Sequence, residues 1–409
     1  MTRAQAAALD ARDPLAPCRA RFALPEGGAI YLDGNSLGML PRATPERLRT
    51  VVEGEWGQGL IGSWTSAGWM DLPVRVAARI APLIGAEPHE VMVADSTSVN
   101  LFKLAAAAVK ARRPRRVILS EPGNFPTDLY VLQELAALIP GLELRTVAAD
   151  EIEGALGEEV ALLLLTHVHY RTGAVHDMAR LSAAARRAGA ISLWDLSHSA
   201  GALDLDLRGA GADLAVGCGY KYLNGGPGAP SFLYVAERLQ AELSNPVAGW
   251  MGHAAPFAFE DGYRPCGSMR RWLAGTPPIL GLAALEEGVR TFEGVSMAEV
   301  RAKSMRLSEL FLDEVEARLP GVFARACPRD PARRGSQVSL AHPDGYAIVQ
   351  ALIAEGVTGD FREPDVLRFG FAPLYTRYVD VIDAVDRLAE VMAQGRWREP
   401  AFALRKVVT

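Results

Sequence analysis

The stretch ALLLLTHVHYRTGAVHDMARLSAAARRAGAISLWD, residues 161–195, decides the fold. It passes from an apolar segment, ALLLLTH (161–167), through a helical pattern near 177–188, to a second apolar segment, AISLWD (190–195). Strands that are apolar along their whole length, separated by helices, fit a parallel sheet covered on both faces, because neither side of such a strand meets water. The same alternation extends outward in both directions. Upstream lie VMVA (91–94), a helix from Ser98 to Ala111, VILS (117–120) and a helix near 127–138; downstream lie LAVGC (214–218) and SFLYV (231–235). The expected class is therefore α/β, with a mostly parallel central sheet and helices on both faces.

After GTPPILGLAALEEGVRTF (275–292) the pattern changes to a long charged helix over about 296–318, then QVSLAHP, VTGD and VLRFGFA. That reads as a smaller α+β domain, joined by a helix beginning near Pro278. A chain of 409 residues exceeds the roughly 250–300 at which one core stops growing, which also points to two domains. The expected division is an N-terminal arm over 1–60, a large α/β domain over 61–285 and a small domain over 286–409.

A formal charge of −5 favours neither a nucleic-acid surface nor an acidic membrane leaflet. No stretch approaches the roughly 20 apolar residues of a membrane span, and charged residues interrupt the first eighteen positions, so neither a membrane segment nor a secretory leader is expected. Four scattered cysteines, Cys18, Cys218, Cys266 and Cys327, suit a reducing, cytoplasmic compartment. Of the 43 basic residues only five are lysines: Lys103, Lys110, Lys221, Lys303 and Lys406. Chemistry that needs an amine has few places to be.

Ligands of open α/β sheets bind beyond the carboxyl ends of the strands. After VMVA comes the hydroxyl-rich run Asp95 to Asn100 at a helix start, suited either to an anion such as phosphate or to a plain N-cap. After VILS comes EPGNFPTD (121–128), in which Phe125 either stacks on a planar ligand or simply packs. Asp195 ends the strand AISLWD, with His198 three residues on; a buried acid there needs a partner, either a protonated ring nitrogen or a neighbouring arginine or amide. After LAVGCG comes Tyr220-Lys221 before a glycine-rich turn. Lys221 is favoured among the lysines, since Lys103 and Lys110 fall on an amphipathic helix, Lys303 in the charged helix and Lys406 in the tail. A phosphate cup, a ring stacker, a carboxylate for a ring nitrogen and an imine-forming lysine are together what pyridoxal 5′-phosphate (PLP) requires.

The segments YLDGNSLG (31–38), SWTSAGW (63–69), STSVNLFK (96–103), NFPTD (124–128), WDLSHSAG (194–201), GYKYLNGGPG (219–228), GWMGH (249–253) and GTPPI (275–279) resemble the motif series of kynureninases, in the fold type I, class V aminotransferase-like group. The series runs in order through about 31–280, and APLYTRY (372–378) continues it. The resemblance implies PLP held as an imine on Lys221, with Asp195 at the pyridine nitrogen and Phe125 as the stacking ring. It implies that Thr97, Ser98 and Tyr220 reach the phosphate, helped by Trp250 and Thr276 from the neighbouring subunit of a homodimer whose sites are shared. Pro126, Thr127, Asp128, Thr166 and His198 would line the cofactor, and Tyr220 would be a phosphate contact or a proton relay. Asn35, Ser36 and Trp64 would line the substrate pocket, and Arg368 would grip the substrate α-carboxylate bidentately.

The reaction so implied is hydrolysis of L-kynurenine to anthranilate and L-alanine, in tryptophan catabolism and NAD biosynthesis. Animal members that prefer 3-hydroxykynurenine carry His and Asn where this chain has the Trp64 segment and Thr276, which implies a preference for unhydroxylated kynurenine. A rival of the same fold, a cysteine desulfurase or selenocysteine lyase, needs a reactive cysteine on a mobile loop; Cys327 in RACPRD is the one candidate and lacks that context. A dinucleotide-binding protein would need G-x-G-x-x-G after the first strand, which is missing. No metal is expected: His167-x-His169 has no third ligand at suitable spacing. Cys218 and Cys266 read as small buried hydrophobes, and ARRPRR (111–116) as a solvated helix end.

Overall fold

The computed structural model describes residues 1–406. Its main sheet contains β1 (Val91–Ala94), β2 (Val117–Ser120), β3 (Glu143–Thr146), β4 (Val160–Thr166), β5 (Ile191–Asp195), β6 (Leu214–Gly217) and β7 (Ser231–Val235), in the order β3-β2-β4-β5-β6-β7-β1. All run parallel except β7, which is antiparallel to both of its neighbours. The strands are buried on both sides, as their unbroken apolar sequences demand, and β3 is the exception. Its residues are half-buried or exposed, and ELRT carries no apolar run, so an edge strand of this kind escaped the sequence pattern.

Alternate residues of each strand feed two separate cores. Val91, Val93, Leu119, Leu163, Leu165 and Trp194 pack with α1 (Leu72–Ile80) and α4 (Met178–Ala188). Met92, Ala94, Ile118, Leu162, Leu164 and Leu193 pack with α2 (Thr97–Ala111) and α3 (Pro126–Leu138). Trp194 is fully buried, and its indole N–H donates to Ser182 Oγ at 3.0 Å, so no polar group is stranded there.

A connecting helix, α5 (Ile279–Arg290), leads into α6 (Met297–Arg318), and a second sheet follows, built of β8 (Ala324–Arg325), β9 (Gln337–Ala341), β10 (Asp360–Arg362) and β11 (Val366–Gly370). Its order is β10-β11-β9-β8, antiparallel throughout, with helices α7 (Gly345–Ala354) and α8 (Tyr378–Gln394). The N-terminal residues bind to both halves. Leu15, Cys18 and Phe22 enter the large core, while Ala6, Ile30 and Leu32 enter the small one. Asp10 accepts the N–H groups of Tyr378 and Val379 at 2.7 and 3.1 Å, satisfying two otherwise unpaired donors at the start of α8. Ile30 and Tyr31 pair in parallel with Val357 and Thr358, and Asp33 bridges to Gly370 at the end of β11.

The basic run at 111–116 is not simply solvated. Arg115 donates to the carbonyls of Val160 and Ala188 at 2.9 and 2.7 Å, and Arg116 to that of Pro140 at 2.8 Å, so these side chains tie neighbouring elements together.

Candidate active site

The C-terminal ends of β1, β2, β4, β5 and β6 converge on one cavity of about 260 Å³. Ser96, Thr97 and Ser98 begin α2 on one side of it, and Phe125, Thr127 and Asp128 begin α3. Thr166, Asp195, Ser197 and His198 follow β4 and β5; Cys218, Tyr220 and Lys221 follow β6. Ten of the residues singled out in the sequence therefore share one space: Thr97, Ser98, Phe125, Thr127, Asp128, Thr166, Asp195, His198, Tyr220 and Lys221. The turn after β6 is sterically exacting: a side chain at Gly219 would place its Cβ 2.2 Å from the Pro230 carbonyl oxygen.

Burial does not single out Lys221, contrary to the helix-face argument from sequence. Lys103 and Lys303 are buried as well. Lys103 donates to Asp95 (2.7 Å), Asn100 (3.0 Å) and the Trp272 carbonyl (2.6 Å), while Lys303 is held by Asp13 and the Pro373 carbonyl, both at 2.6 Å. Lys221 lies 3.0 Å from His198 Nε2 and has no carboxylate or carbonyl partner among the described residues. Its amine is the buried one left free for chemistry. Phe125 and Tyr220 flank it, with ring centroids 5.8 and 5.9 Å from Nζ. Burial and the Lys221 charge hold the His198 imidazole well below its usual pKa, so a neutral ring faces the amine.

Asp195 is 3% exposed and makes no ion pair with a basic side chain among the described residues. Ser197 holds it through N–H and Oγ–H contacts to Oδ1 at 2.8 and 2.5 Å. Cys218 Sγ in turn lies 3.1 Å from Ser197 Oγ and 3.3 Å from Thr97 Oγ1, joining the acid to the hydroxyl cup. Ser197 and Cys218 were not identified from sequence as site residues; a position two beyond a strand-end acid is where a hydroxyl can close back onto it. Cys218 is buried as expected, but as a member of this relay, and Cys266 is only half-buried. Asp128 is bound by Asn124 (3.0 Å) and Thr166 (3.3 Å). Burial and the nearby Asp195 charge push Asp128 well up, and burial raises Asp195 against the opposing pull of Ser197 and Lys221.

These features fit PLP. A buried carboxylate without a cation partner suits a protonated ring nitrogen, a free buried amine suits its aldehyde, and hydroxyls at the start of a fifteen-residue helix suit its phosphate. Burial also keeps the Tyr220 hydroxyl protonated, able to donate there.

Seven expected residues lie outside this lining. Pro126 sits between Phe125 and Thr127 at the start of α3. Trp64 packs edge-to-face on Trp69, with centroids 5.7 Å apart. Trp250 is 37% exposed and packs against Phe257, and Thr276 is exposed. Asn35, Ser36 and Arg368 form a neighbouring cluster, reached through Tyr170: this residue lines the cavity, and its carbonyl accepts from Arg368 Nη1 at 2.5 Å. The arginine's fork is not free, as the sequence reading assumed. Asp360 takes Nε at 2.6 Å and also Nη2, while Ser36 Oγ lies 3.2 Å from Nη2. Any incoming carboxylate meets a guanidinium already oriented by Asp360.

A family model described as the kynureninase C-terminal domain matches residues 300–388. Kynureninases of Burkholderia mallei (strain ATCC 23344) and Pseudomonas fluorescens are 51% and 49% identical to this chain over 415 residues, with complete coverage of both sequences in each case. Among solved structures, the apo cysteine desulfurase of Thermococcus onnurineus NA1 superposes with a TM-score of 0.76 at 20% identity, covering 92% of this chain and 97% of that one. The cystine C–S lyase C-DES bound to cysteine persulfide gives 0.77 at 20%, covering 89% and 98%. These two likenesses concern the fold, and the fold type I PLP architecture is the one expected from sequence.

Proposed function

This chain belongs to the kynureninase family, and from that premise we propose how its own residues divide the work. The enzyme is a PLP-dependent hydrolase that cleaves the Cβ–Cγ bond of L-kynurenine, giving anthranilate and L-alanine. Bound in the cavity, PLP supplies an electron-withdrawing ring that accepts the electron pairs released at the substrate's Cα and Cβ. The observation that carries the assignment of roles is the buried Lys221 amine, free of any acid, in one cavity with Asp195.

Lys221 would hold the cofactor, and its free amine is placed to take the proton from the substrate's Cα. Neutral His198, 3.0 Å away, accepts a hydrogen bond from the amine and keeps it aimed. Asp195, fixed through Oδ1 by Ser197, leaves Oδ2 for a ring N–H. Thr97, Ser98 and Tyr220 would receive the phosphate and Phe125 would cover the ring, while Thr127, Asp128 and Thr166 complete the wall of the cavity. Arg368 orients the α-carboxylate from the side of Tyr170, with Asn35 and Ser36 beside it.

A homodimer with shared sites is part of the same reading. Trp250, Phe257 and Phe259 are 37%, 63% and 78% exposed, an aromatic surface suited to burial against a second subunit, and Thr276 lies exposed nearby in sequence. The division into an arm (1–60), a large domain (61–285) and a small domain (286–409, of which 407–409 lie outside the described residues) belongs to the same proposal, and the presence of two separate sheets supports it. No helix among the described residues is long and apolar enough to cross a membrane, and the free cysteines suit the cytoplasm.

The kynureninase resemblance assigns the Trp64 segment and Thr276 to the aryl end, Thr276 from the second subunit, and on that reading unhydroxylated L-kynurenine is the preferred substrate. Steady-state kinetics should give a kcat/KM for L-kynurenine at least about tenfold above that for 3-hydroxykynurenine, the size of effect one polar group makes in a fitted pocket. A ratio favouring the hydroxylated substrate contradicts this choice.

A further inference from the structure

The cluster around Arg368 contains a second carboxylate that the reaction as described does not use. The segment 31–36 lies along the free end of β11: Gly370 N–H donates to the Leu32 carbonyl at 2.7 Å, and Asp33 is the bridge partner of Gly370. Gly370 and Arg368 are two apart on one strand, so their side-chain positions fall on the same face. On the neighbouring strand Asp360 stands directly opposite Arg368 and also pairs with Arg362 at 2.9 Å. Ser36 Oγ donates to Asp360 Oδ2 at 2.7 Å.

This cluster is incompletely satisfied. Asp33 Oδ1, both amide atoms of the fully buried Asn35 and the Tyr375 hydroxyl have no hydrogen-bond partner among the described residues. The Asn35 amide lies so tightly against Gly370 that a Cβ there would fall 1.7 Å from Asn35 Oδ1. Buried polar groups left this way have bonding capacity that a polar ligand or water can fill. The fixed charges are few. Arg362 and Arg368 are cationic and Asp360 anionic, held below the usual carboxylate range because the hydrogen bond and charge of Arg368, with Arg362, outweigh burial. Tyr31, Tyr222 and Tyr375 keep their protons through burial, and His198 is neutral.

We propose that Asp33 is a titrating positioning residue of the subsite that receives the substrate α-carboxylate: protonated, it leaves the Arg362–Asp360–Arg368 group with one net positive charge; ionised, it cancels that charge. The proposal rests on the reading of Arg368 given above. Burial and the neighbouring Asp360 charge push Asp33 up to about 7. The sign follows directly. Below that pH Asp33 is neutral and the subsite attracts an anion; as pH rises through it, Asp33 ionises and the attraction weakens. Conversely, a bound carboxylate favours the protonated form and raises its pKa further.

The test uses the PLP-loaded enzyme and 4-(2-aminophenyl)-4-oxobutanoate, which keeps the carboxylate of kynurenine and lacks its amino group, beside its primary amide. The acid stays ionised between about pH 6 and about pH 8.5, so any change in its inhibition constant over that range reports the protein. The inhibition constant of the acid should rise about tenfold with pH, centred near neutrality, and that of the amide should not move. Asp33→Asn should hold the acid's constant at its low-pH value throughout. A pH-independent constant in the wild type, or an unchanged rise in Asp33→Asn, overturns the proposal. Should Asp33→Asn not fold, the comparison of acid with amide in the wild type decides alone. If acid and amide bind equally at every pH, the reading of Arg368 falls, and this proposal with it. If the acid is preferred by one constant factor, Asp33 alone is refuted.

Discussion

Lys221→Ala is expected to lower kcat on L-kynurenine by at least about 10⁴-fold while leaving the protein folded. The loss combines the covalent hold on the cofactor with proton transfer at Cα, and a positioned acid–base group alone is worth about 10²–10⁴. The fold should survive because Lys221 is the one buried lysine whose removal strands no carboxylate: its single close polar partner is neutral His198. Lys103→Ala is the control. It leaves the Trp272 carbonyl and the part-exposed Asp95 carboxylate without their ammonium, and stranding a buried acceptor of this kind costs about 1–3 kcal/mol. Borohydride reduction should fix PLP to the Lys221 peptide in the wild type and to no peptide in Lys221→Ala, with thermal unfolding nearly unchanged. Retention of covalent PLP in the alanine variant contradicts the assignment.

Asp195→Asn is expected to lower kcat by about 10²–10³-fold and to weaken PLP binding. The amide is nearly the same shape and still accepts from Ser197, so the change isolates charge. A fixed negative group facing a developing or resident positive one, in a site this dry, carries about 3–4 kcal/mol of the barrier. Asp128 cannot replace it. Burial, the larger cause of its raised pKa, persists in the variant, and Asn124 and Thr166 hold its carboxyl where it is. The measurement is single-turnover anthranilate formation at saturating PLP, which separates a slower chemical step from poorer cofactor occupancy. A variant within a few-fold of the wild type, once saturated with PLP, contradicts the role.

The parts of this molecule legible in its sequence are those where one physical demand dominates. Strands buried on both faces must be apolar throughout, so β1, β2, β4, β5, β6 and β7 are visible; β3, at the open edge, faces no such demand. Strand ends were informative because a sheet carries its ligands there, and ten of the expected residues meet in one cavity. For Lys221 the argument from position alone was incomplete. Position on a helix face did not predict that Lys103 and Lys303 are buried, since their partners Trp272, Pro373 and Asp13 come from distant segments. The Asp360–Arg368 pair was also missed, although VTGDFREPDVLRFG contains it. A tight turn over 363–365 sets Arg362 opposite Val366 and thereby Asp360 opposite Arg368, so reading that segment as a hairpin would have found the partner.

The reaction proposed for this cavity is carbon–carbon hydrolysis of kynurenine into two products. The direct measurement is product analysis of the purified, PLP-loaded protein given L-kynurenine in one reaction and L-cysteine in another. Anthranilate and L-alanine are expected in equal amounts from the first and no sulfide from the second. Sulfide from cysteine with no anthranilate from kynurenine would contradict it and assign the site to the chemistry of its structural neighbours.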